Sequence, residues 1–110
     1  MKWTVEYLND VVRGETLCLP SDILASIFRI VSLIEEFGLH QVGMPYVRHL
    51  EGKLWEMRAK GKDGIARSIY LTTKGQKVVI VRSFIKKTQQ TPRSEIRIAL
   101  QRAKEVYNYE

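Results

Sequence analysis

Apolar and polar residues change their spacing several times along this chain, and the changes mark out its elements. Trp3, Val5 and Tyr7 alternate with Thr4 and Glu6, the two-residue period of a first strand with one buried face. Residues 9–18 form a short, weak helix candidate interrupted by Gly14. Pro20-Ser21-Asp22 opens a stronger helix. Ile23, Ile27, Ile30, Ile34 and Phe37 recur at helical spacing, flanked by Leu24, Phe28 and Val31, and Gly38 follows as a C-cap. The spacing predicts a helix over 22–37 that buries those five residues against a sheet. Residues 40–45 read as a loop.

Three strand candidates follow. In residues 54–60, Trp55, Met57 and Ala59 alternate with Leu54, Glu56, Arg58 and Lys60. Lys62-Asp63-Gly64 is a hairpin turn signal, residues 65–72 make the next strand, and Lys74-Gly75 the next turn. Val78-Val79-Ile80-Val81, within a strand over 77–85, is apolar on both faces, as a central strand is. Thr91-Pro92 opens a last helix, with Thr as N-cap, Pro at the first helical position, and Ile96, Leu100 and Ala103 as an apolar stripe. One strand, two helices, three meandering strands and one helix compose an α+β domain covering residues 1–110, with helices packed on a sheet.

Composition supports that picture and directs it. At 110 residues and 45% apolar the chain can build one packed core. Its lone cysteine, Cys18, cannot form an internal disulfide, which fits a reducing compartment. The opening residues carry no signal-like apolar run. The stretch from Ile23 to Phe37 is broken by Ser26, Arg29, Ser32 and Glu35-Glu36 and cannot span a membrane. The expectation is a cytoplasmic protein without a membrane partner. Charge is unevenly placed: residues 1–45 carry three Lys/Arg and six Asp/Glu, residues 46–110 fifteen and six. A basic half on a small domain suits a polyanion, most simply nucleic acid, although a merely soluble basic surface produces the same count.

The chemistry-bearing residues gather where the expected strands end. Glu56 and Arg58, two apart on one strand, share a face; the plain alternative is a surface ion pair of little worth. Arg67 shares its parity with Ile65, Ile69 and Leu71, so it sits on an apolar face, at the strand's exposed start or re-aimed by a bulge. Tyr70 has the opposite parity and reads equally as core or half-buried. Phe84-Ile85-Lys86-Lys87-Thr88-Gln89-Gln90-Thr91-Pro92 joins the central strand to the last helix, with two lysines, hydroxyls and amides at a strand end; a solvated basic loop is its plain alternative. His40 and His49 stand apart from any Cys or acidic cluster, so no metal site or cofactor is expected. There is no glycine-rich phosphate loop, and Ser21 and Cys18 lack a neighbouring base motif.

Three of these segments, in order, carry a resemblance: Leu54-Trp55-Glu56-Met57-Arg58; Gly64-Ile65-Ala66-Arg67-Ser68-Ile69-Tyr70; and Phe84 to Pro92 followed by Glu95-Ile96 and Ala99. From residue 1 to about 107 the chain resembles the phage-derived HigB-like toxins of the RelE/ParE superfamily. The Phe-x-Lys-Lys-Thr-x-x-Thr-Pro segment is the most specific of the three. The resemblance implies a microbial RNase T1-like fold: a twisted antiparallel sheet with two N-terminal helices on one side and a C-terminal helix. It implies metal-independent cleavage of mRNA, usually on the ribosome, and neutralisation by a helix-turn-helix antitoxin. It implies an active face of Arg58, Arg67, Lys86 and Lys87 with Glu56, and Tyr70, Phe84 and Gln89 at the RNA. Relatives often carry His-Gly where this chain has Arg82-Ser83, so a catalytic role of that histidine would pass to another group. Two other readings stand beside this one, a gyrase-poisoning ParE-type toxin and a nucleic-acid-binding module without catalysis.

Overall fold

The chain runs β1 (Thr4–Tyr7), α1 (Asp10–Leu17), α2 (Ser21–Phe37), a single 3-10 turn (Leu39–Gln41), β2 (Val47–Glu51), β3 (Leu54–Gly61), β4 (Gly64–Thr73), β5 (Lys77–Lys86) and α3 (Arg93–Asn108) in the computed structural model, which describes residues 2–88 and 90–108. The strands form one sheet in the order β1-β5-β4-β3-β2. β2 to β5 are the expected antiparallel meander, but β1 joins β5 in parallel, Thr4 opposite Lys77 and Tyr7 opposite Ile80. The sheet is therefore mixed rather than antiparallel. Alternation fixes which residues of β1 face inward, not the strand's direction. The helices and the β2–β4 meander between β1 and β5 leave the chain enough length to return along β1 in parallel.

β2 has no counterpart among the expected strands. In Val47-Arg48-His49-Leu50-Glu51 only two residues are apolar, and the register slips between His49 and Glu51. An edge strand of that composition carries almost no period.

α2 covers one face of the sheet. Ile23, Ile27, Ile30 and Ile34 pack with Met57, Ala59, Tyr70, Val78 and Ile80, each worth about 1.5–3 kcal/mol of burial. Phe37 departs from the expectation: it is 58% exposed, in the final turn where Gly38 (φ 89°) takes the chain away. Gly61 lets β3 approach the start of α2, since a Cβ there would meet the Asp22 carboxylate that accepts from the Lys62 amide.

α3 covers half of the other face. Ile96, Ala99, Ala103 and Val106 pack with Leu54, Ile69, Leu71, Val79, Val81 and Phe84. Leu100 is exposed rather than buried, and the small Ala99 takes its place in the stripe. The capping arrangement also differs from the expectation. The Glu95 and Ile96 amides donate to the Pro92 carbonyl, which puts Pro92 at the cap. The Thr91 hydroxyl reaches instead to Glu56.

One irregularity in β5 decides which residues share this second face. Ile69 pairs with Arg82 and Tyr70 with Ile80, so Val81 is an extra residue opposite none in β4. Before this bulge Val79 and Val81 face α3; after it Arg82, Phe84 and Lys86 do, through their pairing with Ile69, Arg67 and Ile65. The Val81 carbonyl accepts from Arg102 Nη1 at 2.8 Å.

Candidate functional site

Beyond the end of α3 the same face changes from apolar to charged. Arg48, Glu56, Arg58, Arg67 and Lys86 reach it from four adjacent strands, with Arg48 paired to Glu56, Arg58 to Arg67, and Lys86 to Ile65. Arg67 is not re-aimed by a bulge of its own. It follows the parity of Ile69 and Leu71 on the part of the face that α3 leaves uncovered.

A single carboxylate organises the cluster. Glu56 is 2% exposed, so the surface ion pair weighed from sequence is instead a buried group. Its Oε1 accepts from the Thr91 hydroxyl at 2.6 Å. Its Oε2 lies 3.5 Å from Arg67 Nε and 3.8 Å from Arg58 Nη1. Those two nitrogens are buried and make no hydrogen bond among the described residues. Arg67 also donates to its neighbour's carbonyl, Ala66, at 3.0 Å. Burial lowers the Arg67 guanidinium from its ordinary value, Glu56 resists, and Arg58 and Arg48 add to the lowering; it nonetheless stays charged. Burial also holds the Lys86 ammonium below its ordinary value. Arg67 pushes the same way, Glu56 opposes, and Arg58 and Arg48 contribute the rest. A lysine in that position gives up its proton more readily than one in water.

Two concave surfaces flank the cluster. A groove of about 850 Å³ contains Glu56, Lys86, Thr88, Thr91, Arg48 and Arg93 among its walls. A smaller one of about 400 Å³ takes Arg58 and Arg67 into its lining. Arg48 and Arg93 are site residues that sequence reasoning missed. The first lies on the strand that went unread, and the second on a segment read only as a helix. Thr91 was singled out, and its hydroxyl is committed to the carboxylate rather than to the helix.

The remaining candidates divide. Lys87 is exposed just past β5, on the parity opposite to Lys86. Tyr70 is not brought to the cluster: it lies fully buried under α2, on the opposite face. Burial pushes its phenol up well beyond the usual tyrosine range, so it supports the core rather than contacting RNA. Phe84 is on the correct face but is only 7% exposed, packed beneath α3; it floors the site rather than offering a ring for stacking. Gln89 lies outside the described residues.

Arg82 and Ser83, the departure from the resembled family, are both committed structurally. Arg82 binds Glu95 at 2.6 Å and Glu15 at 2.7 Å, and Arg102 binds Glu15 at 2.9 Å. Burial works against the Glu15 carboxylate, but the Arg102 hydrogen bond, the Ser83 amide and the two guanidinium charges hold it below its ordinary value. The Ser83 hydroxyl joins those of Thr16 and Ser68 in a buried chain at 2.7 and 2.8 Å. Among the described residues no three of His, Cys, Asp or Glu gather as metal ligands, and no helix is long and apolar enough to cross a membrane.

Comparison with known proteins follows the same lines. The family model described as phage-derived protein Gp49-like matches residues 15–104. Among solved structures, the chain is similar to the archaeal RelE–RelB complex from Pyrococcus horikoshii OT3, with a TM-score of 0.55 and 21% identity over 77% of this chain and 96% of that one. No curated protein matches.

Proposed function

Because the chain belongs to the phage-derived Gp49-like family, a RelE/HigB-like toxin family, and carries the RelE fold, we propose that it is the toxin of a type II toxin–antitoxin pair and a metal-independent endoribonuclease that cuts mRNA on the ribosome. The observation that carries this reading is the arrangement around Glu56: two guanidinia and a buried lysine converge where α3 leaves the sheet uncovered.

RNA cleavage without a metal needs the 2′-hydroxyl deprotonated, negative charge stabilised at phosphorus, and the departing 5′-oxygen protonated. Arg67 and Arg58 supply fixed charge, and guanidinia suit phosphate oxygens. Lys86 is the proton-transferring group, its ammonium already destabilised by burial and by Arg67. Glu56 has both oxygens engaged, by Thr91 on one side and the guanidinia on the other. Its role is therefore to orient Arg58 and Arg67 rather than to act as base. Lys87 and Arg48 lie where the message enters and hold its backbone.

The partners in this reading are mRNA, the ribosome and a helix-turn-helix antitoxin; the similar RelE was solved with RelB. Purified protein incubated with ribosomes and message should produce defined cuts that Lys86→Met abolishes. The same protein should leave gyrase supercoiling unchanged. Growth inhibition that persists without RNA cleavage, with gyrase inhibited, would overturn the reading in favour of a ParE-type toxin.

A further inference from the structure

The smaller concavity beside the cluster lies at the open edge of β3. β2 stops pairing at Val47–Met57, and past that point Tyr46 alone meets the edge, its carbonyl accepting from the Arg58 amide at 2.7 Å. Arg29 of α2, Arg58 and Lys60 of β3, and Ile65 and Arg67 of β4 complete the wall, enclosing about 400 Å³. That volume falls within the range of small-ligand sites, roughly 300–1,000 Å³.

The lining is chemically one-sided. It holds four cations and no carboxylate. Arg29 and Lys60 make no ion pair among the described residues, and Arg58 Nη1 and Arg67 Nε have no hydrogen-bond partner there. Beside these charges stand two residues with apolar surface open to solvent, Tyr46 at 40% and Ile65 at 38% exposure. A lone phosphate would use the cations but not the ring or the isoleucine. A nucleotide uses all of them, with its phosphate on the guanidinia and its base against the aromatic face.

We propose that this concavity is a nucleotide subsite, in which Tyr46 stacks one base of single-stranded RNA while Arg29 and Lys60 hold its backbone. The subsite rests on the RNA reading of the central cluster. Arg58 and Arg67 are common to both, so the bound nucleotide is the one adjoining the scissile phosphate. Tyr46 is a positioning residue: it fixes the register of the message and touches no reacting atom.

The test uses binding, so that it does not depend on cleavage. Short 2′-O-methyl RNA oligonucleotides, which cannot be cut at the modified sugars, are titrated against the full chain by fluorescence anisotropy. Tyr46→Ala should weaken binding about tenfold, as loss of one stacked base does, whereas Tyr46→Phe should match the parent. An abasic residue introduced at each position in turn should erase the Tyr46→Ala penalty at one position only. Lys60→Gln should make the salt dependence shallower by roughly 0.7 in the log–log slope. A penalty from Tyr46→Ala that is the same at every abasic position, or absent throughout, overturns the subsite. So does a result in which both variants keep RNA affinity and lose only antitoxin binding, which would make the concavity a protein contact. If the parent binds with this pattern but never cuts message, the nuclease reading fails while the subsite stands.

Discussion

Two groups of charged side chains sit a few residues apart on β5, and they are built to opposite rules. Around Arg82 there are two guanidinia and two carboxylates, held at 2.6–2.9 Å, with the charges balanced. Around Lys86, among the described residues, Glu56 faces both Arg58 and Arg67, with the guanidinium contacts stretched to 3.5 and 3.8 Å. The first group satisfies itself and joins α1, β5 and α3. The second leaves buried donors unmet and a lysine less firmly protonated than usual. Charge balance and contact length thus separate a clamp from a site where residue type alone does not, because both are Arg–Glu clusters.

Breaking one member of each group should expose the difference. Arg67→Ala should lower turnover on saturating ribosomes by about 10²–10³, the usual loss for a donor aimed at transition-state charge, in protein that the urea midpoint shows still folded under assay conditions. Arg82→Met should do the reverse. It strands Glu95 and leaves Glu15 to Arg102 and the Ser83 amide, and costs on the order of 1–3 kcal/mol for lost charged hydrogen bonds, read as a lower urea midpoint. If Arg82→Met abolishes cutting in a protein of unchanged stability, the two groups are not distinct in kind.

Glu56→Gln sharpens the comparison from the site's side. The carboxylate supports the charge of the Lys86 ammonium. Its removal should move the limb of the pH–rate profile governed by Lys86 to lower pH. An unmoved limb would assign that limb to another group.

Stability should rise with pH at both groups, but over separate pH ranges. The folded state holds Glu15 below its ordinary value, so its contribution is present above the unfolded value of about 4.3 and is lost as pH falls through the folded one. Glu15→Gln should flatten the acid arm of a melting-temperature profile. Lys86 is also lowered, so over its own, alkaline range the unfolded chain again binds more protons. Stability rises as pH climbs from the folded value towards about 10.4, and Lys86→Met should remove that rise without loss of stability at neutral pH.

The smallest effect belongs to Lys87. Exposed and past the end of β5, it should on substitution by alanine leave turnover intact. The slope of RNA affinity against salt should become shallower by roughly 0.7.

Much of the fold was legible in the sequence because the period of apolar positions is the physical cause of the elements. Ile23, Ile27, Ile30 and Ile34 lie on one helical stripe and are buried on it. The same logic failed where the cause is not periodic. β2 is an edge strand with too few apolar residues to show alternation, so Arg48 was invisible. Phe37 and Leu100 match their stripes by spacing, but spacing does not say how far a helix overlaps its sheet. Of the candidate site, Glu56, Arg58, Arg67 and Lys86 come together on one face. That Glu56 would be buried depended on α3 and Thr91 coming to rest beside it, a contact 35 residues distant in the chain. Tyr70 shares a motif with Arg67, yet the two stand three positions apart, and in a strand an odd interval sends them to opposite faces.

The extra residue at Val81 has a consequence for how this chain can vary. It puts the two halves of β5 out of step, so inward and outward positions exchange parity partway along the strand. The half before it answers to the packing of α3, and the half after it answers to the charges at the site. Loss of Val81 would leave Phe84 and Lys86 on the α3 side in a strand of regular alternation, because Ile80 and Arg82 already pair with adjacent residues of β4. A pattern of constant period laid over residues 77–86 passes over the extra residue and assigns Lys86 to the face of Ile80. Any alignment of this strand with a relative must therefore locate the phase change before it can say which lysine does the chemistry.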